Sequence, residues 1–406
     1  MTTATRPLTV AFLIDRWEPE RGGAERALAA LASHLEQRGH RVLAFARRAS
    51  PGAPGEFHAV ATGGWSRKAR ERALARALTS AAEAAGADVT LGIRHLEKVD
   101  LFWPHAGAHG RGLEAREAAR QRTARVSGGI DEEAPEESPE ESDGDPSELA
   151  GRHGLFTELE RQLCEGGGAR RIACVSPLVA DELTELYPGC APRLVLVPNG
   201  VDLERFNLSE RSKRSSELRE RLGISKTRPL VAFLAHEAEL KGLPTLLDAL
   251  VLHGASDVHL LLAGPRPLAK WKRRAERAIG AERVHAFESI DAAEALSAAD
   301  VLAHPTWRDT SGLVLLEALA VGTPVITTRR AGEAPLVREK ISGSVLEEAG
   351  DAHALAAALE HWLAKARSGA IDREAVRADV ARRAMGPWLA AMEALVVECA
   401  AARARG

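Results

Sequence analysis

Residues Ala299–Thr328 read ADVLAHPTWRDTSGLVLLEALAVGTPVITT. Val301–Ala303 is a short apolar run closed by His304-Pro305, the pattern of a buried strand entering a loop. Thr310 and Ser311 are residue types that cap helices, and a helix is predicted from near Gly312, turning Leu313, Leu316, Leu319 and Ala320 inward. Gly322 ends that helix, Pro324 keeps it ended, and Val325–Thr328 is the next strand. The stretch is therefore strand, loop, helix N-terminus, helix, strand. Free amides at such a helix start favour anions, phosphate above all, and Gly312 carries no side chain to hold a ligand away from the backbone. Two carboxylates frame the place, Asp309 before the helix and Glu317 inside it. Carboxylates repel phosphate, so their partners there should be hydroxyls. A ligand with a diphosphate in its middle and hydroxyls at both ends, such as a nucleotide sugar, satisfies all three features.

Working back from this stretch, Leu230–Leu234 opens the same kind of α/β arrangement, and Lys241-Gly242 precedes a helix beginning at Leu243. Val258–Ala263 and Val284–Phe287 are further strands, Lys270–Arg277 a basic helix and Ala292–Ala298 a short helix. Ala331-Gly332-Glu333 is a loop after the Val325–Thr328 strand. From about Asp351 the chain is Ala-rich and amphipathic, hence helical.

The first half repeats the theme. Leu8–Ile14 is an apolar strand, Gly22-Gly23 a turn that lets a ligand approach a helix N-terminus, and Leu28, Leu31 and Leu35 mark one helix face. Arg41–Phe45, Asp88–Gly92, Val99–Trp103 and Arg171–Ser176 are strand candidates, and Leu155–Leu163 is helical. His105 and His109 follow the Val99–Trp103 strand, at the end where open α/β sheets bind ligands. Arg67–Leu78, RKARERALARAL, is a basic helix whose charges form a solvated face around Leu74 and Leu78 or a patch suited to an anionic membrane. Residues 129–148 are dense in Glu, Asp, Pro and Ser with no core-forming run, which predicts a disordered insertion. Asp143-Gly144-Asp145 lies inside it and is read as low complexity, not as a metal motif.

These residues resemble a known family. The Asp309 to Ile326 run, with Gly312, Glu317, Ala318, Ala320, Gly322, Pro324 and Val325 in register, is similar to the donor motif of retaining glycosyltransferases of family 4. That motif is two Glu separated by seven residues, and Asp309 stands where the first Glu is usual. Gly22–Arg26, the V-S-P-L-V-A-D-E-L run at Val175–Leu183 and the V-P-N-G-V-D-L-E-R-F run at Val197–Phe206 resemble the same family. Within it the likeness leans to enzymes that add glucose to the lipopolysaccharide core.

The resemblance implies an α/β chain of GT-B fold, two Rossmann-like domains facing across a cleft. Residues 1–200 would form the acceptor-side domain and 201–385 the nucleotide-sugar domain, with 386–406 packing back on the first. It implies donor contacts from Gly22, Gly23, Asn199, His236, Ser311, Gly312 and Leu313. His105, with His109 as the other choice, would touch the transferred sugar. Lys241 would neutralise the diphosphate, Asp309 hold hydroxyls of the sugar, and Glu317 hold the ribose. The family usually has an arginine five residues before the lysine or immediately before it, where this chain has His236 and Leu240. The implied activity is hexose transfer from a nucleotide sugar, a UDP-sugar, to a glycan or lipid-linked acceptor, without metal or resident cofactor. Two other classes share the fold. One is an epimerase or phosphorylase, the latter needing a pyridoxal phosphate lysine for which no context is found. The other is a non-catalytic nucleotide- or glycan-binding relative.

Composition agrees with such a chain. At 406 residues there is room for two cores, and a net charge of −3 argues against bulk binding to nucleic acid. Cys164, Cys174, Cys190 and Cys399 have no metal spacing and fit reduced thiols. No apolar run near 20 residues stands out as a membrane span, and the N-terminus reads as a strand rather than a leader. A cytoplasmic protein, in peripheral contact with the inner face of the membrane, is expected.

Overall fold

The computed structural model describes residues 6–126, 146–254 and 256–405. The chain divides into two units, one of residues 1–112, 143–200 and 386–406, the other of 113–142 and 201–385.

The first unit is built on a seven-stranded sheet whose order is 56–59, 41–46, 9–13, 89–92, 99–102, 169–174, 194–196. All its strand pairs are parallel. Central strands of a parallel sheet are covered on both faces, which is why Val10, Ala11, Phe12 and Leu13 form an unbroken apolar run and are wholly buried. The second unit has a six-stranded sheet ordered 284–287, 259–263, 230–234, 301–304, 325–328, 343–346, again parallel throughout. Its core lies on both faces, around Phe233, Leu246, Leu262 and Trp362 on one and Leu302, Leu315, Leu316 and Leu319 on the other. The chain winds outward from the Leu230–Leu234 strand in one direction and then returns to build the other side from Val301–His304. The carboxyl ends of those two strands therefore border the crevice where open α/β sheets take ligands.

The C-terminal helix, Met385–Arg403, belongs from Gly386 onward to the first unit. Its length and apolar character do suffice to cross a membrane, contrary to the expectation from sequence. Charged anchors fix it to the sheet instead. The nearly buried Asp100 accepts from Arg403 Nη1 at 2.8 Å, from Arg170 Nε at 3.0 Å and from the Thr90 hydroxyl at 2.9 Å. Glu393 accepts from His34 at 2.8 Å and Arg38 at 3.1 Å.

A second departure concerns the helix His109–Val126. Sequence places everything up to residue 200 in one domain, but from Leu113 this helix groups with the second unit. Within that unit Arg116 binds Glu237 at 2.9 Å, and Arg122 binds Asp248 at 3.1 Å and the Gly350 carbonyl at 3.3 Å, with Ala119 and Thr123 buried. Most of the acidic stretch 129–148 lies outside the described residues, as do Asp143, Gly144 and Asp145. Its last three residues already belong to the helix Pro146–Cys164.

Candidate functional site

Two loops meet at the carboxyl ends of the Leu230–Leu234 and Val301–His304 strands. Gly242 has a φ of 82°, and a Cβ placed on it would stand 2.1 Å from the Pro305 carbonyl oxygen. Only glycine permits that approach. Trp307 N–H donates to the Leu240 carbonyl at 2.9 Å, and the Thr306 hydroxyl to the same oxygen at 3.1 Å. Residues 240–242 are thereby laid along 305–307, and Lys241 arrives with its Nζ 2.9 Å from Asp309 Oδ2 and 3.1 Å from the Arg308 carbonyl.

Asp309 collects donors from three directions. Besides Lys241, His304 Nε2 stands 2.8 Å from Oδ2 and Gly312 N–H donates to Oδ1 at 2.9 Å. Its backbone is pinned as well, its N–H to the Arg330 carbonyl at 2.9 Å and its carbonyl to Gly332 N–H at 2.8 Å. Burial by itself would raise the carboxyl, but the Lys241 ammonium and the His304 hydrogen bond outweigh it and hold Asp309 well below the usual carboxylate range. His304 is buried, and burial lowers its pKa against the opposing pull of Asp309. A neutral imidazole donating from Nε2 follows. Its Nδ1, buried, has no hydrogen-bond partner among the described residues.

Two expectations change here. The N-cap position is Gly312, at φ 77°, one residue beyond Ser311, and the carboxylate of Asp309 takes its amide. The helix is Leu313–Ala320, and its buried leucines are Leu315, Leu316 and Leu319, while Leu313 is half-buried. Leu316, Leu319 and Ala320 face inward as expected, and the Asp309 carboxylate, accepting the amide three residues on, makes the turn that leads into the helix. Glu317 lies one turn from Leu313 on the same side of the helix and is half-buried. Lys241, expected as a charge for the diphosphate, already has its charge matched by Asp309.

The other expected residues fall into separate groups. His236 is exposed, and its Nδ1 stands 3.0 Å from the Gly264 carbonyl, so that nitrogen carries the proton. In the first unit Asn199 Nδ2 donates to His105 Nε2 at 3.3 Å, which fixes the His105 tautomer and ring. His109 instead opens a helix, donating its N–H to Glu160 at 3.0 Å with its ring 3.1 Å from His153 Nδ1. Of the two histidines, His105 is thus the one fixed beside an expected site residue, Asn199. Gly22 is the extended N-cap of the helix Gly23–Gln37, also in the first unit.

Sequence reasoning missed His304, visible only as a strand end. It also passed over Glu333, seen only as part of a loop. Glu333 is 2% exposed and paired with Arg383, and burial raises its carboxyl to about 7 against the pull of Arg383, with Asp309 adding to the rise. Arg383 comes from a segment 50 residues on, a pairing no local pattern announces. Among the described residues no group of three or more His, Cys, Asp or Glu side chains could hold a metal ion.

Comparison with known proteins fits this geometry. Residues 21–205 match the family model Glycosyltransferase Family 4, and residues 228–365 match Glycosyl transferases group 1. A D-inositol 3-phosphate glycosyltransferase of Xylanimonas cellulosilytica is 33% identical over 179 residues, 41% of this chain and 42% of that one. The lipopolysaccharide glucosyltransferase WaaG of Escherichia coli is 25% identical over 205 residues, 49% of this chain and 54% of its own. The chain spans about half the length of the curated relatives it matches. A crystal structure of WaaG superposes with a TM-score of 0.76 at 21% identity, covering 95% of this chain and 99% of that one. The Anabaena protein HepE in complex with UDP and glucose gives 0.67 at 17% identity over 95% and 98%. Two glycosyltransferase family models thus match successive parts of a chain whose two Rossmann-like units have the GT-B fold.

Proposed function

We propose that this protein transfers a hexose from a nucleotide sugar, UDP-linked, to a hydroxyl of a glycan or lipid-linked acceptor such as the lipopolysaccharide core, with retention of the anomeric configuration. The observation that carries the reading is the Lys241–Asp309 pair, set by Gly242 and Gly312 at the switch point of a parallel sheet, with Glu317 one turn into the adjoining helix. That is a place for a diphosphate flanked by hydroxyls. The relative named a lipopolysaccharide glucosyltransferase and the fold neighbour holding UDP and glucose support the sugar, nucleotide and acceptor classes.

In this reading Glu317 accepts from the ribose hydroxyls. A carboxylate has about four lone-pair sites. Asp309 fills three of them internally and keeps one for a hydroxyl of the sugar. Lys241 keeps one N–H for a phosphate oxygen, and first-turn amides of the Leu313–Ala320 helix add to it. Charge on the leaving diphosphate grows as the glycosidic bond breaks, so these donors act most strongly in the transition state. His105, fixed by Asn199, serves the sugar side. The reading uses no metal and no resident cofactor. It places the protein in the cytoplasm at the inner face of the membrane, where the wholly exposed Trp65 and the exposed Lys68 and Arg70 are an apolar anchor with basic neighbours.

The test is slow donor hydrolysis by purified protein across a panel of nucleotide sugars. Release of nucleoside diphosphate from one donor, lost in Glu317→Gln, supports transfer. Binding of UDP without any hydrolysis favours the non-catalytic relative, which the internal pairing of Lys241 makes the reading to exclude first.

A further inference from the structure

We propose that Arg266 and Arg330 are the cations that hold the donor's diphosphate, one from each side of the crevice. This rests on the nucleotide-sugar reading above and names the residues that supply its missing positive charge.

A nucleoside diphosphate brings several negative charges, yet Lys241 is matched by Asp309 and the pair is close to neutral as a unit. The carboxylates on the loops around it are matched too. Glu237 is bound to Arg116, Glu333 to Arg383, and Glu239 faces Lys270, Arg120 and Arg274. Two guanidinium groups on the same loops are left over. Arg266 and Arg330 are both exposed, and among the described residues neither side chain has a hydrogen-bond or ion-pair partner.

Their backbones are tied to the two inner loops. Arg266 N–H donates to the His236 carbonyl at 3.1 Å, and the His236 ring returns a bond to Gly264 at 3.0 Å. Pro265 and Pro267 on either side stiffen that loop. The Arg330 carbonyl accepts the Asp309 N–H at 2.9 Å, and its own N–H donates to the Thr328 hydroxyl at 3.1 Å. Arg266 follows the strand next to Leu230–Leu234, and Arg330 follows the strand next to Val301–His304, so each stands one strand out from the switch point. Three strand spacings separate the two loops, ~14 Å. Two extended arginine side chains span that distance between them, with a diphosphate at the centre. Planar guanidinium forks bind phosphate oxygens in pairs, which one shared lysine does not do.

The experiment is calorimetry on the full chain with UDP, ADP and GDP, and with UMP as the monophosphate control for whichever base binds tightest, uridine being expected. Arg266→Ala and Arg330→Ala should each weaken UDP binding about tenfold, the double variant about a hundredfold. UMP should lose less, so that the preference for UDP over UMP collapses in the double variant. Arg→Lys at both positions should recover part of the affinity, and melting temperatures should stay at the wild-type value because both side chains are exposed. A double variant that binds UDP as wild type does, with the same preference over UMP, overturns this inference and leaves the site's assignment standing. A wild-type protein that binds none of the three diphosphates overturns both.

Discussion

Lys241→Met is the substitution from which the site's construction can be measured. Methionine keeps most of the unbranched stem and removes the charge. Lys241 and Asp309 are 17% and 16% exposed with 2.9 Å between their charged atoms, so Asp309 stays behind as a largely buried carboxylate holding only the His304 and Gly312 bonds. Breaking a buried pair from one side costs about 3–5 kcal/mol, and residual exposure puts this one at the low end. In a unit of this size each kcal/mol moves the melting temperature by roughly 2–4 °C, so a fall of roughly 6–12 °C is expected. Asp309→Asn in the Lys241→Met background removes the stranded charge and should recover part of the loss, a coupling of about 1 kcal/mol or more.

The pH dependence has a definite sign. Asp309 has a lowered pKa in the folded protein, so its stabilisation is present above the unfolded carboxyl value of about 3.9 and is lost as pH falls toward the folded one. Without Lys241 the same carboxyl titrates higher. The gap between variant and wild type should therefore be full at pH 7 and narrow as the solution is acidified. Thermal unfolding followed by circular dichroism at a series of pH values reads both effects. A Lys241→Met protein that melts with wild type at pH 7 refutes the claim that the pair organises the site.

Three further outcomes are expected. Glu317→Gln should weaken UDP binding by about tenfold, the loss of one charge-assisted bond to the ribose, and unchanged affinity in calorimetry removes Glu317 from the site. Glu333 is raised to about 7 when folded, so its contribution is intact below the unfolded pKa and lost as pH rises toward neutrality, on the order of 3 kcal/mol in all; Glu333→Gln should flatten the fall in melting temperature between pH 5 and 8, and parallel curves would show that another group causes it. His236→Arg should change the pH–rate profile little if Arg266 and Arg330 carry the diphosphate, whereas a large gain confined to alkaline pH would return that role to position 236.

The parts of the fold legible in the sequence were those with a strong local signal. Leu230–Leu234, Val284–Phe287, Ala292–Ala298 and Val325–Thr328 have the bounds their apolar runs suggest. Gly242 and Gly322, each at positive φ, stand at the helix boundaries they punctuate. The other edge strands were not legible: Glu56–Ala59 is mostly exposed, Leu194–Leu196 has only three residues, and Gly343–Leu346 opens on a glycine and is half-buried in its middle. The helix His109–Val126 was missed for a different reason. Its sequence, rich in Arg and Glu with little apolar content, has no amphipathic stripe, and it is held by ion pairs whose partners lie more than a hundred residues on.

The site divides in the same way, and the division bears on how it works. Spacing located Asp309, Glu317 and the Gly312 turn, because one strand–loop–helix segment carries all three. Spacing could not say that Asp309 faces inward. That depends on Lys241 coming from an earlier loop and on His304 turning its ring back from the strand end. The shorter carboxylate at position 309 can accept the Gly312 amide and close the helix start; a glutamate, one methylene longer, would have to abandon that amide to stay between lysine and histidine or leave both to reach outward. Aspartate here therefore ties the two loops of the crevice together, and most of its bonding capacity is spent before a ligand arrives. On the reading proposed above, recognition of phosphate then falls to the two arginines one strand further out, whose side chains have no hydrogen-bond or ion-pair partner among the described residues, while Glu317 serves hydroxyls.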